Sequence, residues 1–222
     1  VNILVTRPEP GASATAARLV SLGHQPILAP CLTIRRHRAA LPEAPAAIII
    51  TSGQAIPALP ARLRQTPVFC VGDATAGRLR EAGFFSVESA SGDAADLCRL
   101  IAARRLTGTL LLVTGTGLGL GLAARLRLTG AKIIRRTVYT ASPLKTLPAE
   151  AVAALASQKI NAALFYSAES ARAFTRLQPP GTAALEAFAL SPAVAAALDG
   201  LPWTKIRVAL APTEADLLAL LP

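Results

Sequence analysis

The sequence predicts an α/β fold in which parallel sheet is covered by helices on both faces. Short apolar runs recur along the chain, each ending in a small or hydroxyl-bearing residue and leading into a helical pattern. Buried parallel strands have this continuous apolar character because both of their faces meet helices. The composition agrees. Of 222 residues, 52% are hydrophobic, 16% charged and only 4% aromatic, so Ala, Leu, Val and Ile can fill a sizeable core. The units also resemble one another in pairs, as a duplicated architecture would.

The first strand is "ILVT" (3–6), followed by the helical "GASATAARL" (11–19). "AIIITS" (47–52) and "VFCVG" (68–72) come next, the latter leading into "DATAGRL". A helix starts within "GDAADLCRLI" (92–101), with Asp73 and Asp93 as the initiating acids of their helices. "LLLVTG" (110–115) opens a glycine-rich turn and another helix. "ALFYS" (163–167), "AFALS" (187–191) and "RVALAP" (207–212) complete the series, and Tyr166 is expected to pack as a strand end.

"CVGDATAGRL" (70–79) aligns with "ALSPAVAAAL" (189–198), and "IIITSGQAI" (48–56) with "ALFYSAESA" (163–171). "ILVTRPEPGASATAARL" (3–19) resembles "LLLVTGTGLGLGLAARL" (110–126). If the units between 46 and 137 are a, b, c and d, the chain runs d′, a, b, c, d, a′, b′, c′. Two partitions fit this order. The chain divides near Thr107, or d′ joins a′, b′ and c′ in one lobe with abcd inserted as the other. The second partition puts the crossings at "CLTIRRHR" (31–38) and "RRTVYTASP" (135–143).

A net charge of +10 suggests an acidic partner, whether nucleic acid, a membrane surface or a polyanionic small molecule; an arginine-rich solvated surface is the plain alternative. Residues 36–138 carry 14 basic against 6 acidic side chains, a net of +8; the remainder carries 9 against 7, a net of +2. In the inserted partition a strongly basic lobe faces a nearly neutral one, and a cleft between them would concentrate an anionic ligand.

Several function classes are disfavoured. Cys31, Cys70 and Cys98 are an odd count without C-x-x-C spacing and are expected to be free thiols of a reducing compartment. His24 and His37 form no ligand cluster, which argues against a zinc site or a His-based triad. The start lacks the basic and apolar regions of a signal peptide. The longest uncharged run, Leu106 to Ala124, has the length of a membrane span, but its five glycines and four threonines argue for a strand and turn.

That run also fails the dinucleotide fingerprint. Gly115 and Gly117 would need a glycine at Leu120, and no acidic residue follows in "AKIIRRTVYT" (131–140). What remains is a strand end feeding a helix N-terminus, a geometry that binds anions or simply makes a tight turn. Thr6, Ser52, Gly72, Thr114, Ser167, Ser191 and Thr213 occupy the equivalent strand ends. Open parallel sheets bind ligands beyond those ends. The hydroxyls there cap the following helices or form a shared anion-binding rim. Arg7 beside Thr6, Gly115 and Gly117 beside Thr114, and Ser170 beside Ser167 join the candidate contacts. Tyr139 stands at a crossing segment, where a phenol can donate a hydrogen bond or a proton. Arg35, Arg36, Arg135 and Arg136 flank the crossings.

With "ILVTRPEP", "ARLVSLGHQPILAPCLTI", "ITSGQAI", "VFCVGDATAGRLREAGF", "TVYTASP", "FYSAESARAF" and "VALAPTEADLLALL", the chain resembles the uroporphyrinogen-III synthase family over nearly its whole length. The resemblance implies two flavodoxin-like lobes, 1–34 with 140–222 and 36–138, joined by a two-stranded linker with the substrate between them. It implies a cyclising lyase acting on hydroxymethylbilane, a linear tetrapyrrole with eight carboxylates, without metal, nucleotide or redox cofactor. It further implies a cytoplasmic monomer that receives its unstable substrate from the upstream bilane synthase, with no nucleic-acid or membrane partner. Tyr139 matches the family's "VY" tyrosine and is assigned to departure of the hydroxyl; Thr75 of "VGDATA" matches a second polar position. The chain departs from the family in "SPAVA", where Ala193 and Val194 replace a hydroxyl pair. That departure motivates the competing reading, a non-catalytic two-lobed binding protein or inactive paralogue for an acidic small molecule. A nucleic-acid binder, suggested by charge alone, lacks interleaved aromatics and a recognition motif.

Overall fold

A computed structural model describes residues 1–221. The chain forms two compact units, Val1–Ile34 together with the chain from Ser142 onward, and Arg35–Ala141. In chain order, β1 (Asn2–Val5), α1 (Gly11–Ser21) and β2 (Gln25–Leu28) open the first unit, and β3 (Leu32–Arg36) leads out of it. The second unit contains β4 (Ala47–Ile50), β5 (Val68–Cys70), α2 (Asp73–Glu81), β6 (Val87–Ser89), α3 (Ala94–Ala103), β7 (Thr109–Gly115) and α4 (Leu120–Leu128). The long strand β8 (Lys132–Pro143) leads back. There the first unit is completed by α5 (Ala149–Ala156), β9 (Ala162–Phe165), α6 (Ala168–Leu177), β10 (Glu186–Ala189), α7 (Pro192–Ala196), β11 (Lys205–Val208) and α8 (Glu214–Leu218).

The α/β expectation holds. The first unit's sheet has the order β11-β10-β9-β1-β2, with every adjacent pair parallel. The second has the order β3-β8-β7-β4-β5-β6, parallel from β8 to β6. The central strands are buried on both faces, as their apolar sequences require: Ala47, Ile48, Ile49 and Ile50 are all inaccessible.

Helices follow the strands because their apolar residues recur at helical spacing. Ala12, Thr15 and Leu19 form the buried face of α1; Leu97 and Ile101 form that of α3. Asp93 caps α3 by accepting from the Ala95 and Asp96 amides, and the Asp96 carboxylate accepts in return from the Asp93 amide. Asp73 is the first residue of α2, after Gly72 as cap. In the first unit, the Phe165 and Phe174 rings meet edge to face at 5.3 Å, and the Trp203 indole stacks on Phe174 at 5.8 Å.

Gly23 and Gly130 end α1 and α4 in the left-handed region, φ +82° and +85°, where a side chain would be strained. Each then starts an equivalent strand pairing: Asn2 faces Gln25, and Thr109 faces Lys132. The three cysteines are free thiols; burial pushes Cys31 up to about 12 and Cys70 up to about 11. Among the described residues no helix is long and apolar enough to cross a membrane.

Candidate active site

The parallel part of each sheet has one place where the chain order reverses, and the loops after the two strands there diverge to leave a crevice. In the second unit the reversal lies between β4 and β7. Ser52 follows β4, and its hydroxyl accepts from the Gln54 amide at 3.3 Å, capping a short 3₁₀ turn at Gly53–Ala58. Thr114 is almost wholly buried near the end of β7, and its Oγ1 has no hydrogen-bond partner. Buried hydroxyls are ordinarily bonded, so this one is a liability to stability.

Gly115 faces Tyr139 across the β7–β8 ladder, with an irregularity between Thr114 and Gly115. The Tyr139 ring, only 3% exposed, lies over the Gly115 Cα. A Cβ on Gly115 would sit 2.7 Å from ring atoms Cε2 and Cζ and 3.1 Å from the phenol oxygen. The room left by this glycine is therefore taken by Tyr139. Thr116 fixes the same strand: its amide and hydroxyl donate to the Tyr139 carbonyl at 2.8 and 3.2 Å, and its hydroxyl meets that of Thr140 at 2.9 Å. Arg135 donates from Nε to the Leu118 carbonyl at 2.9 Å and so braces the glycine-rich turn.

Gly117, at φ +77°, and Gly72 are different from Gly115, since an added Cβ at either would meet nothing within 4 Å. The backbone there is approachable from outside. Thr75 lies half-buried in the first turn of α2, its amide bonded to the Gly72 carbonyl at 3.0 Å. A cavity of about 420 Å³ in the same unit is lined by Arg36, His37, Arg38, Gln54, Pro57 and Val138, among others. Of the other crossing arginines, Arg136 donates from Nε to the Ala40 carbonyl at 2.8 Å.

In the first unit the reversal lies between β1 and β9. Thr6 spends its buried hydroxyl on the Leu164 carbonyl at 2.7 Å, tying the residue just past β1 to the interior of β9. Ser167 caps α6 through the Ser170 amide at 3.1 Å and meets the buried Ser170 hydroxyl at 3.1 Å. Ser191 caps α7 through the Val194 amide. Thr213 caps α8 through the Asp216 amide and also bonds the Asp216 carboxylate. Ser52, Ser167, Ser191 and Thr213 are thus helix caps, and Thr6 is a strand tie. Ala193 and Val194 occupy the first turn of α7.

Tyr166 packs against the core beside Val5 and Leu164, as expected of a strand end, and in addition forms a polar cluster with Arg7. The Arg7 guanidinium lies over the Tyr166 ring, with Cζ 4.1 Å from its centroid. Glu214 Oε1 accepts from the Tyr166 phenol at 2.7 Å, from the Thr15 hydroxyl at 2.6 Å and from Arg7 Nη1 at 3.3 Å. Arg18 stands 3.8 Å from Oε2. Burial first and the Glu214 charge second push the Tyr166 phenol well above the ordinary tyrosine range. Thr15, Arg18 and Glu214 were invisible to motif reading, because Tyr166 and Glu214 are 48 residues apart and Thr15 and Glu214 199. The one available signal was Tyr166 itself, a polar group at the end of an apolar strand, like Thr6.

The family model described as uroporphyrinogen-III synthase HemD matches residues 13–219. No curated protein sequence matches the chain. Among solved structures, the uroporphyrinogen-III synthetase of Helicobacter pylori 26695 superposes with a TM-score of 0.66 at 18% identity, covering 99% of this chain and 97% of that one. A mutant uroporphyrinogen III synthase from the extremely thermophilic bacterium Thermus thermophilus superposes with a TM-score of 0.53 at 17% identity, with the same coverages. At such identities the two superpositions speak to the fold.

Proposed function

The chain belongs to the uroporphyrinogen-III synthase family, and from that membership we propose how its residues carry out the family's reaction. It is a cyclising lyase of tetrapyrrole and heme biosynthesis, which closes hydroxymethylbilane with loss of water and inversion of the last pyrrole ring. The match of the family model over residues 13–219 carries this conclusion.

The reaction needs one proton delivered and one removed. The terminal hydroxyl leaves as water once protonated, and the pyrrole nitrogen of its ring stabilises the cation left behind. The substituted carbon of the last ring attacks that cation and gives a spiro intermediate. That ring detaches from its neighbour and re-closes in the inverted sense, and loss of a proton restores aromaticity. No electrons are exchanged with another molecule. Tyr139 is the proposed donor to the departing hydroxyl, supported by its fixed ring against Gly115 and by its match to the family's "VY" tyrosine.

The rest of the task is to hold a flexible substrate so that the correct carbon attacks, which is catalysis by orientation. The approachable backbone at Gly72 and Gly117 suits carboxylates, and the helix starts nearby add positive potential. Ser52 and Ser191 retain a hydroxyl proton to donate beyond their caps, whereas Ser167 and Thr213 donate theirs to Ser170 and Asp216 and can offer it to substrate only by exchanging that bond. Thr75, Thr114, Gly115, Ser170, Thr6 and Arg7 complete the proposed substrate contacts, Thr6 and Gly115 acting through the strand ends they order. We further propose a cytoplasmic monomer that takes the bilane directly from the enzyme forming it, since the free bilane closes spontaneously to the non-inverted ring.

The test is a coupled assay with freshly generated hydroxymethylbilane, oxidation of the product and chromatographic separation of isomers I and III. Predominant isomer III is the expected result. Isomer I alone, at the spontaneous rate, would refute the activity.

A further inference from the structure

Glu214 sits in a cradle that is already shaped for a carboxylate. Three donors converge on its Oε1, from Arg7, Thr15 and Tyr166, and Arg18 faces Oε2. These donors belong to the segment after β1, to α1 and to the segment after β9, whereas the carboxylate comes from α8, a helix of five residues.

Arg7 is oriented without any help from Glu214. The Tyr166 ring covers the Arg7 guanidinium. Gly11 lies close against it as well, since a Cβ there would sit 2.5 Å from Arg7 Nε and 2.8 Å from Cζ. Thr15 is fully buried on α1, and Tyr166 directly follows β9. The donor set therefore persists when the carboxylate leaves. Glutamate can leave by side-chain rotation alone, and the seat is open to water, with the Arg7 and Glu214 side chains 26% and 22% exposed. The cluster also lies at the β1/β9 reversal of the sheet, where open parallel sheets take their ligands.

We propose that this seat is a carboxylate-binding subsite, and that Glu214 occupies it as an internal stand-in which a carboxylate arm of the substrate displaces. The identity of the arriving ligand rests on the assignment of a polycarboxylate substrate. Exchange of one carboxylate for another keeps every donor satisfied and returns Glu214 to water. Two carboxylates cannot share the seat, because all three donors already meet on one oxygen and like charges repel at that range.

The test uses uroporphyrin, a stable octacarboxylate, titrated at fixed ionic strength against wild-type protein, Glu214→Gln, Glu214→Ala and the charge-matched control Glu150→Gln in the exposed first turn of α5. Glu214→Ala should bind roughly threefold to tenfold tighter than wild type, because the seat stands vacant and one repulsive charge is gone. Glu214→Gln, whose amide oxygen can still fill the seat, should fall between them. Adding Tyr166→Phe to Glu214→Ala should abolish most of the gain. The KM for hydroxymethylbilane should fall in parallel, with kcat changing less. Equal or weaker binding by Glu214→Ala and Glu214→Gln, with circular dichroism native, would overturn the proposal, as would an equal gain in Glu150→Gln. Formation of isomer III by the wild-type protein is measured separately, so loss of the assigned activity and loss of the subsite give different results.

Discussion

Gly115→Ala tests whether Tyr139 owes its position to a missing side chain. The new methyl would sit 2.7 Å from two ring carbons, against a normal carbon–carbon contact of about 3.5–4.0 Å. The ring must shift by roughly 1 Å, or the strand must give. Overpacking of this kind costs about 1–3 kcal/mol. Gly115 does not adopt the left-handed backbone region, so alanine also recovers about 0.4–1 kcal/mol of chain entropy. The net loss is about 0.5–2 kcal/mol, or a Tm about 1–8 °C lower for a chain of this size. Turnover should suffer more than stability, because a 1 Å misplacement of an aligned group can cost about a hundredfold. The assay is a double-mutant cycle of thermal melts and isomer III formation with Tyr139→Ala, which removes the ring. In that background Gly115→Ala should no longer destabilise. An equal loss of Tm with and without the ring would show that Tyr139 is not what the methyl meets.

Tyr139→Phe should lower kcat at least several-fold with native melting behaviour; an unchanged rate in the folded variant would remove the phenol from the proposed proton transfer. Thr114→Val deletes a buried hydroxyl that has no partner, so it should stabilise by about 1 kcal/mol and raise the Tm by about 2–4 °C. A higher KM in the same variant would support the substrate contact assigned to Thr114, whereas a lower Tm would mean that the hydroxyl has a partner after all. Acid stability should follow Asp93 and Glu186, which are held below the ordinary carboxylate range, the first by the Asp96 and Ala95 amides it caps and the second by the Arg207 guanidinium. A carboxylate whose pKa falls on folding adds stability that is complete above its unfolded pKa of about 4 and disappears as pH falls through the folded value. Melts below about pH 5 should therefore lose Tm with a slope that Asp93→Asn and Glu186→Gln each flatten, and an unchanged slope in both would refute the assignment.

Much of the fold was legible because its strands are buried on both faces. A run such as "AIIITS" has no polar residue to alternate, so it reads as a parallel-sheet strand from sequence alone. Helix starts were equally plain where the cap is local, as at Asp93, whose partners lie two and three residues on. Strand neighbours were not legible. Repeat similarity does not say which strand pairs with which, and the contact of Ile3 with Ala162 spans most of the chain. In the candidate site, the strand-end hydroxyls could be picked out from their spacing, but not their bonds: Thr6 ties a strand, Ser191 caps a helix and Thr114 has no partner. The Arg7–Tyr166–Glu214 cluster escaped for a related reason. Its members belong to three separate segments, and only the packing of β1 beside β9 brings them together.

The two sheets share one spatial plan under two chain orders. Taken from one edge, β6-β5-β4-β7-β8 corresponds position by position to β11-β10-β9-β1-β2. In the second unit the last two strands of that series follow the other three in sequence; in the first unit they precede them. Because the reversal always falls beside the first strand of the triplet, it lies next to β4 in one unit and β9 in the other. The residues after the paired strands then decide what each crevice can do. Ser52, Thr114 and the glycines from Gly115 onward give the second unit a small, uncharged rim, with a fixed phenol and the basic cavity of Arg36, His37 and Arg38 in the same unit. Arg7, Tyr166 and Glu214 give the first unit a charged cradle with its own counter-ion. Two crevices built on one order of five strands therefore differ in chemistry through a handful of strand-end residues, while the second sheet carries β3 as a sixth strand beyond the shared five.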